Sequence, residues 1–433
     1  MHSFHYLDGR LYGEEVDLTR VAEEFGTPTY VYSAETILDH YTRLDAALAP
    51  LDHLICYAVK ANSNRAILNL LVRAGAGFDI VSGGELFRVL AAGGDPAKCT
   101  FAGVGKSGDE IEYALEQGVH SFNVESEAEL EAIDRIAHAK GTRAPIALRV
   151  NPDVDPHTHQ YISTGTQENK FGIALDQVSA VYERAARMSN IEVVGVQMHI
   201  GSQITAGKPF ASAIAKVVPL LRDLKSKFDI RFVSIGGGMG IIYRRALASG
   251  SGKWWHDHGS EPFAFSVRDY ADAVVPPLRD VGIRIFVEPG RFLMGNAGVL
   301  LTRVRYIKQT GSKKFGIVDA GMNDLIRPAL YQSYHEIVPV IETKSERKIS
   351  KIDIVGPVCE SGDFFALDRE MPELHEGDLL AVMSAGAYGF VMASNYNSRP
   401  LPAEALIRGD KFALIRKRQT WEDLVGGEVI AEW

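Results

Sequence analysis

The stretch LICYAVKANSNRAILNLLVRAGAGFDIVS, Leu54 to Ser82, decides the fold. Its first seven residues form an apolar, β-rich run that ends in Lys60, and the polar ANSN breaks it. NRAILNLLVRAG then spaces apolar residues as a helix does and closes on glycine, the usual helix stop. FDIVS opens a second strand, so the whole reads strand, helix, strand. Outward from it the alternation continues. CTFAG, SFNVES, PIALRVN, EVVGVQMHI, FVSIGGG and RIFVEPG are further strand candidates, separated by helix-period segments such as GGELFRVLAAGG, SGDEIEYALEQG, EAELEAIDRIAHAKG and FASAIAKVVPLLRDLKSKF. Eight strand–helix repeats over about 240 residues are the count for a closed (β/α)8 barrel. An open doubly wound sheet rarely needs that many consecutive units.

Past Glu288 the pattern changes. VLLTRVRYIKQ, KKFGIVDAG, KIDIVGPVCESGDFF, GDLLAVMSAGAYGF and KFALIRKRQ read as strands between Gly, Asp and Pro turns. The expected division is an α/β barrel over 36–287, with 1–35 and 288–433 forming a mainly β domain that TPTYVYS joins as an N-terminal strand.

A chain of 433 residues has room for two cores. Its formal charge of -9 argues against an electrostatic grip on nucleic acid or anionic lipid. The N-terminal MHSFHYLDGR lacks a signal-peptide core, and no run is apolar enough to span a membrane. Cys56, Cys99 and Cys359 are odd in number and far apart, which suits a reducing cytoplasm and offers no metal spacing.

Residues at the carboxyl ends of barrel strands share one mouth. Lys60 ends the first strand, Asp79 and Ser82 the second, His199 the sixth, GGGMG (Gly236 to Gly240) the seventh, and Glu288 with Arg291 the eighth. Taken singly each has a plain structural reading. Lys60 can snorkel into water, GGGMG can be a tight turn, EPGR a surface ion pair, and His199 a satisfied core histidine. Taken together, a lysine, a glycine run whose bare N–H groups can approach a phosphate, and a carboxylate around one cavity describe a pyridoxal phosphate site. The lysine carries the cofactor as a Schiff base, and the acid keeps its pyridine nitrogen protonated.

The motifs EFGTPTYVYS, YAVKAN, GFDIVSGGEL, NPDVDPHTHQYISTG, KFGI, HIGSQ, GGGMG, EPGR, RPALYQSYHEI, GPVCESGD, GAYG and YNSRPLPAE, in this order, make the chain resemble the fold type III pyridoxal phosphate decarboxylases over nearly its whole length. Within that family it looks like the branch acting on meso-2,6-diaminopimelate. The resemblance implies a barrel of the alanine racemase type followed by the β-domain, and a homodimer whose active sites are shared between subunits. It implies release of CO2 from meso-2,6-diaminopimelate to give L-lysine, the last step of lysine biosynthesis, in the cytoplasm, with no nucleic acid, membrane or metal involved. Position by position, Lys60 resembles the Schiff-base lysine and His199 the histidine against the cofactor ring. Ser202 and Gly238 resemble phosphate contacts, Gly237 a further cofactor contact, Glu288 the acid at the pyridine nitrogen, and Gly290 with Arg291 the turn around cofactor and substrate. Arg291, Arg327 and Tyr331 are similar to the residues holding the substrate's distal carboxylate, and Tyr388 to one touching both cofactor and substrate. Cys359 and Glu360 resemble residues that reach in from the partner subunit, the first as proton donor and the second to the distal amino group. Outside its CESGD context, Cys359 reads as a small buried hydrophobe.

Two arginines and one glutamate at the far end suit a second amino-acid head. A pocket with those arginines would repel the lone ammonium of ornithine or lysine. A non-catalytic homologue should have lost Lys60 or Cys359, and both are present. The segment 241–265 departs from the family pattern, and its His256, Asp257 and His258 read as a solvated loop rather than a metal site.

Overall fold

The computed structural model describes residues 1–154, 170–261, 263–342 and 347–433; the DPHTHQYISTG part of one motif lies outside them. The eight expected strands are all present: β1 (His53–Ala58), β2 (Gly77–Ile80), β3 (Cys99–Phe101), β4 (Ser121–Val124), β5 (Ala144–Asn151), β6 (Ile191–Met198), β7 (Phe232–Ser234) and β8 (Arg284–Val287). Each pairs in parallel with the next, β8 returns to β1 through Val287 and Ile55, and β4 meets β5, so the sheet closes.

Local sequence sets the helices between them. Asn64, Ser82, Ser107, Ser126 and Ser266 each accept a backbone N–H at a helix start, with full capping boxes at Ser107 and Ser266. Gly118 ends the helix Gly108–Gln117 in the left-handed conformation that a side chain resists.

Strand residues two apart share a face, which gives the barrel interior two layers. Leu54, Cys56, Ala147, Phe232 and Phe286 form an apolar cluster. Toward the carboxyl ends of the barrel strands come Asp79, Asn123, Arg149, Gln197 and Ser234, all buried, with Glu288 just past β8. Polar residues therefore fill the end of the barrel where the strands finish.

The second compact unit comprises residues 1–37, 242–257 and 294–433, and the barrel unit 38–241 and 258–293. Its sheet runs Phe364–Pro372, Ile349–Val355, Lys313–Val318, Gly298–Thr310, Thr29–Ser33, Ala403–Arg408, Lys411–Arg416. Thr29–Ser33, wholly buried, pairs antiparallel with Gly298–Thr310 and parallel with Ala403–Arg408. Residues 242–257 group here because they are tied here. Ala246 sits in the core cluster with Phe4, Leu11 and Val340, and its carbonyl accepts from the ring of His2. The loop expected around His256 is partly a short helix, Gly252–His258, anchored by buried Trp254 and by the Trp255 indole N–H on the Ser249 carbonyl.

Candidate active site

Lys60 does not lie in β1 but in the single 3-10 turn, Val59–Ala61, that follows it. Its Nζ is 2.9 Å from Asp79 Oδ2 at the end of β2. The amine is partly exposed while the carboxylate is 1% exposed, so the lysine neither snorkels freely nor is sealed in. Asp79 accepts with one oxygen, and its buried Oδ1 has no hydrogen-bond partner among the described residues.

Glu288 is buried and doubly held. Ser234 Oγ donates to Oε1 at 2.6 Å, and Gln197 Nε2 donates to Oε2 at 3.0 Å. Burial, reinforced by Asp79, pushes its carboxyl up to about 7 against the opposing pull of the Ser234 bond, Lys60 and the Gln197 bond.

His199 follows β6 directly. The Gly237 N–H donates to its Nδ1 at 3.2 Å, which leaves the ring proton on Nε2. Burial, then the charges of Arg149 and Lys60, hold the imidazole well below its ordinary pKa. The ring is therefore neutral at physiological pH.

GGGMG is demanded first by packing. A Cβ on Gly237 would lie 2.2 Å from the Glu288 carbonyl oxygen, and one on Gly238, at φ +107, would lie 2.6 Å from the Gly201 carbonyl. The glycines let the chain after β7 lie against the chains after β6 and β8. No turn lies over Gly236–Gly240, so close packing rather than a tight turn accounts for the glycines locally, and the bare backbone is half-open at Gly238. Arg291, 6% exposed, donates from Nε and Nη2 to Ser202 Oγ at 3.3 and 3.0 Å. Gly290, beside it, is buried.

Sequence reasoning passed over a second buried pair in the barrel. Arg149 Nη1 donates to both oxygens of Glu125 at 3.0 and 3.1 Å, and the Gly103 and Gly172 N–H groups donate to the same carboxylate. The signal available was an arginine inside the β5 run PIALRVN, where an unpaired charge cannot stand. Gln197, two residues before His199 and so on the same strand face, was a similar signal.

In the β-rich unit, Arg327 is buried and opens the short helix Arg327–Tyr331. Tyr331 is half-buried, its ring centroid 5.7 Å from the Arg327 guanidinium carbon. Tyr388 is held at φ +56, a left-handed conformation that a bulky side chain adopts only under constraint. Cys359 and Glu360 are both exposed, which overturns the buried-hydrophobe reading of the thiol. The Cys359 N–H donates to Asn397 Oδ1 at 2.9 Å, and the Tyr396 hydroxyl bonds to Glu360.

In the barrel unit, then, an amine, a buried acid, a neutral imidazole and a bare glycine backbone meet at one end. Residues 34–295 match the family described as pyridoxal-dependent decarboxylase, pyridoxal binding domain, so the barrel is one of that class. The chain is 52% identical to the diaminopimelate decarboxylase of Pseudomonas aeruginosa, with 99% of each covered, and 48% identical to that of Aquifex aeolicus, over 97% of this chain and 96% of the relative. Helicobacter pylori diaminopimelate decarboxylase complexed with L-lysine superposes with a TM-score of 0.87 at 41% identity, over 95% of this chain and 98% of that one. The M. jannaschii enzyme in co-complex with L-lysine gives 0.89 at 36% identity, over 99% and 98%. The chain belongs to the diaminopimelate decarboxylase family.

Among the described residues no helix is long and apolar enough to cross a membrane.

Proposed function

We propose that the protein is a carboxy-lyase that uses pyridoxal 5'-phosphate to convert meso-2,6-diaminopimelate to L-lysine and CO2. What carries this reading is the meeting of Lys60, Glu288 and His199 at the ends of three strands of one closed barrel, in a chain with full-length likeness to diaminopimelate decarboxylases. The residues fit the cofactor. Lys60 supplies the amine that would hold it, Ser202 and Gly238 would receive its phosphate, and Gly237, Gly290, Arg291 and Tyr388 would complete the surround. When bound, the cofactor supplies a sink for the electron pair left as the α-carboxylate departs.

The protein's own groups do the rest. Glu288 holds a proton at the ring nitrogen, which its buried position and two fixed donors suit. His199 offers a flat, neutral face that adds no competing charge. Arg291, Arg327 and Tyr331 receive the substrate's distal carboxylate, since guanidinium groups match carboxylates in shape and charge. Cys359 returns a proton to the carbon that has lost CO2, and Glu360 takes the distal ammonium. Both residues are exposed, which supports a homodimer in which they serve the barrel of a second copy. The free cysteines Cys56, Cys99 and Cys359 support a cytoplasmic location.

The test is CO2 release from meso-diaminopimelate, L-ornithine, L-lysine and L-arginine side by side. Release from meso-diaminopimelate alone, with L-lysine formed, is expected. A preference for a substrate with no second carboxylate would overturn the roles given to Arg291, Arg327 and Glu360.

A further inference from the structure

The segment 241–265 has no part in the roles above, yet its one tyrosine, Tyr243, reaches Arg327. Arg327 Nη2 donates to the Tyr243 hydroxyl at 3.2 Å and to Ser333 Oγ at 3.3 Å, and its Nε donates to His335 Nε2 at 3.4 Å. The direction of the last bond follows from the histidine's other nitrogen. His335 Nδ1 lies 2.9 Å from the Met383 carbonyl, which only accepts, so the proton is on Nδ1 and Nε2 presents its lone pair. His335 is fully buried and Arg327 is 5% exposed, so this geometry is not a surface accident.

Tyr243 is itself fixed. Its ring stands edge-on to His335 with centroids 5.3 Å apart. The Ile242 carbonyl before it accepts from Asn296 Nδ2 at 3.0 Å, and the Leu247 N–H beyond it donates to Glu336 at 2.8 Å.

Three neutral groups from two separate pieces of chain thus hold the guanidinium through Nε and Nη2. Held at two nitrogens from two directions, the guanidinium keeps a fixed plane, as two-point recognition of a carboxylate requires. We propose that Tyr243 is a positioning residue for substrate specificity: with Ser333 and His335 it forms a cage of hydrogen-bond acceptors that aims Arg327 at the distal carboxylate of a bis-amino-acid substrate. The inference rests on the reading that Arg327 receives that carboxylate.

The test compares Tyr243→Phe, Arg327→Ala and the double variant in the cofactor-loaded enzyme. Tyr243→Phe is expected to raise KM for meso-diaminopimelate about tenfold while kcat changes less than about twofold. Inhibition by L-lysine, which keeps the distal carboxylate, should weaken in parallel, and inhibition by 1,5-diaminopentane, which lacks it, should not. In the Arg327→Ala background the second substitution should change KM by less than about twofold. A native KM in Arg327→Ala alone would overturn the underlying reading. A raised KM in Arg327→Ala with a native one in Tyr243→Phe, or a Tyr243→Phe penalty that persists without the arginine, would overturn the cage. Should Tyr243→Phe fail to fold, Ser333→Ala carries the same expectations in the same cycle.

Discussion

Lys60 Nζ stands 2.9 Å from Asp79 Oδ2, an amine and a carboxylate brought together from the ends of adjacent strands. The pair keeps the amine at the barrel mouth instead of letting its long stem wander in water. Lys60→Ala should therefore abolish covalent capture of pyridoxal phosphate. After borohydride treatment, mass spectrometry should find the cofactor on the peptide carrying Lys60 in the native chain and on no peptide of the variant, with turnover down by orders of magnitude. Cofactor fixed to another lysine would sink the assignment.

Glu288 makes stability depend on pH in a definite direction. Its carboxyl is raised to about 7 in the folded chain, so the folded state holds this proton more tightly than the unfolded state does. The resulting stabilisation is complete below the ordinary carboxylate pKa of about 4.3 and is lost as pH rises through about 7. Glu85 and Asp324, also raised to about 7 chiefly by burial, act in the same sense. Melting temperatures of cofactor-free native protein and Glu288→Gln, measured from pH 5 to 8, should show the variant gaining on the native chain as pH rises. A constant difference across that range would mean the raised carboxyl is not Glu288.

Gly237→Ala places a methyl group 2.2 Å from the Glu288 carbonyl oxygen, where neither backbone can yield without moving. The expected cost is about 1–3 kcal/mol, read from the denaturant midpoint. Because the displaced chain carries Glu288, cofactor affinity should fall as well. A variant as stable and as tight as the native protein would show that the glycine run is dispensable.

Cys359 is exposed on its own subunit, so its service to catalysis is tested by mixing. Cys359→Ala and Lys60→Ala chains should each be nearly inactive alone. Random re-pairing of the two should restore about a quarter of native activity, since half the dimers are mixed and each has one intact site. Mixed dimers that form and stay inactive would exclude shared sites.

The barrel was legible because each strand run is short and largely apolar, because most are followed by a helix with a side-chain cap, and because nearly all strand partners are sequence neighbours. Lys60, His199 and Glu288 were legible for a related reason, since strand ends must converge. The polar supports were not. Gln197 and Ser234 sit inside runs whose apolar neighbours dominate the pattern, and nothing local says that they bond Glu288, 91 and 54 residues away. The β-rich unit was read in part. The start of Phe364–Pro372 was run together with the strand and turn before it, and Ala403–Arg408 was missed, as was the N-terminal hairpin of Phe4–Leu7 and Arg10–Gly13. The grouping of 242–257 depends on partners such as His2 and Glu336, to which sequence order gives no clue.

The burial of Thr29–Ser33 between Gly298–Thr310 and Ala403–Arg408 has a consequence for how the chain is born. Each barrel strand up to β8 finds its neighbours within the stretch of polypeptide that leaves the ribosome around it. The N-terminal strand emerges first, all five residues destined for burial, and waits through synthesis of the whole barrel for a partner. Such long-range pairing is slow and leaves a strand meant for burial open to wrong associations in the meantime. A chain stalled before Gly298 would carry a folded barrel and an orphaned, adhesive N-terminus.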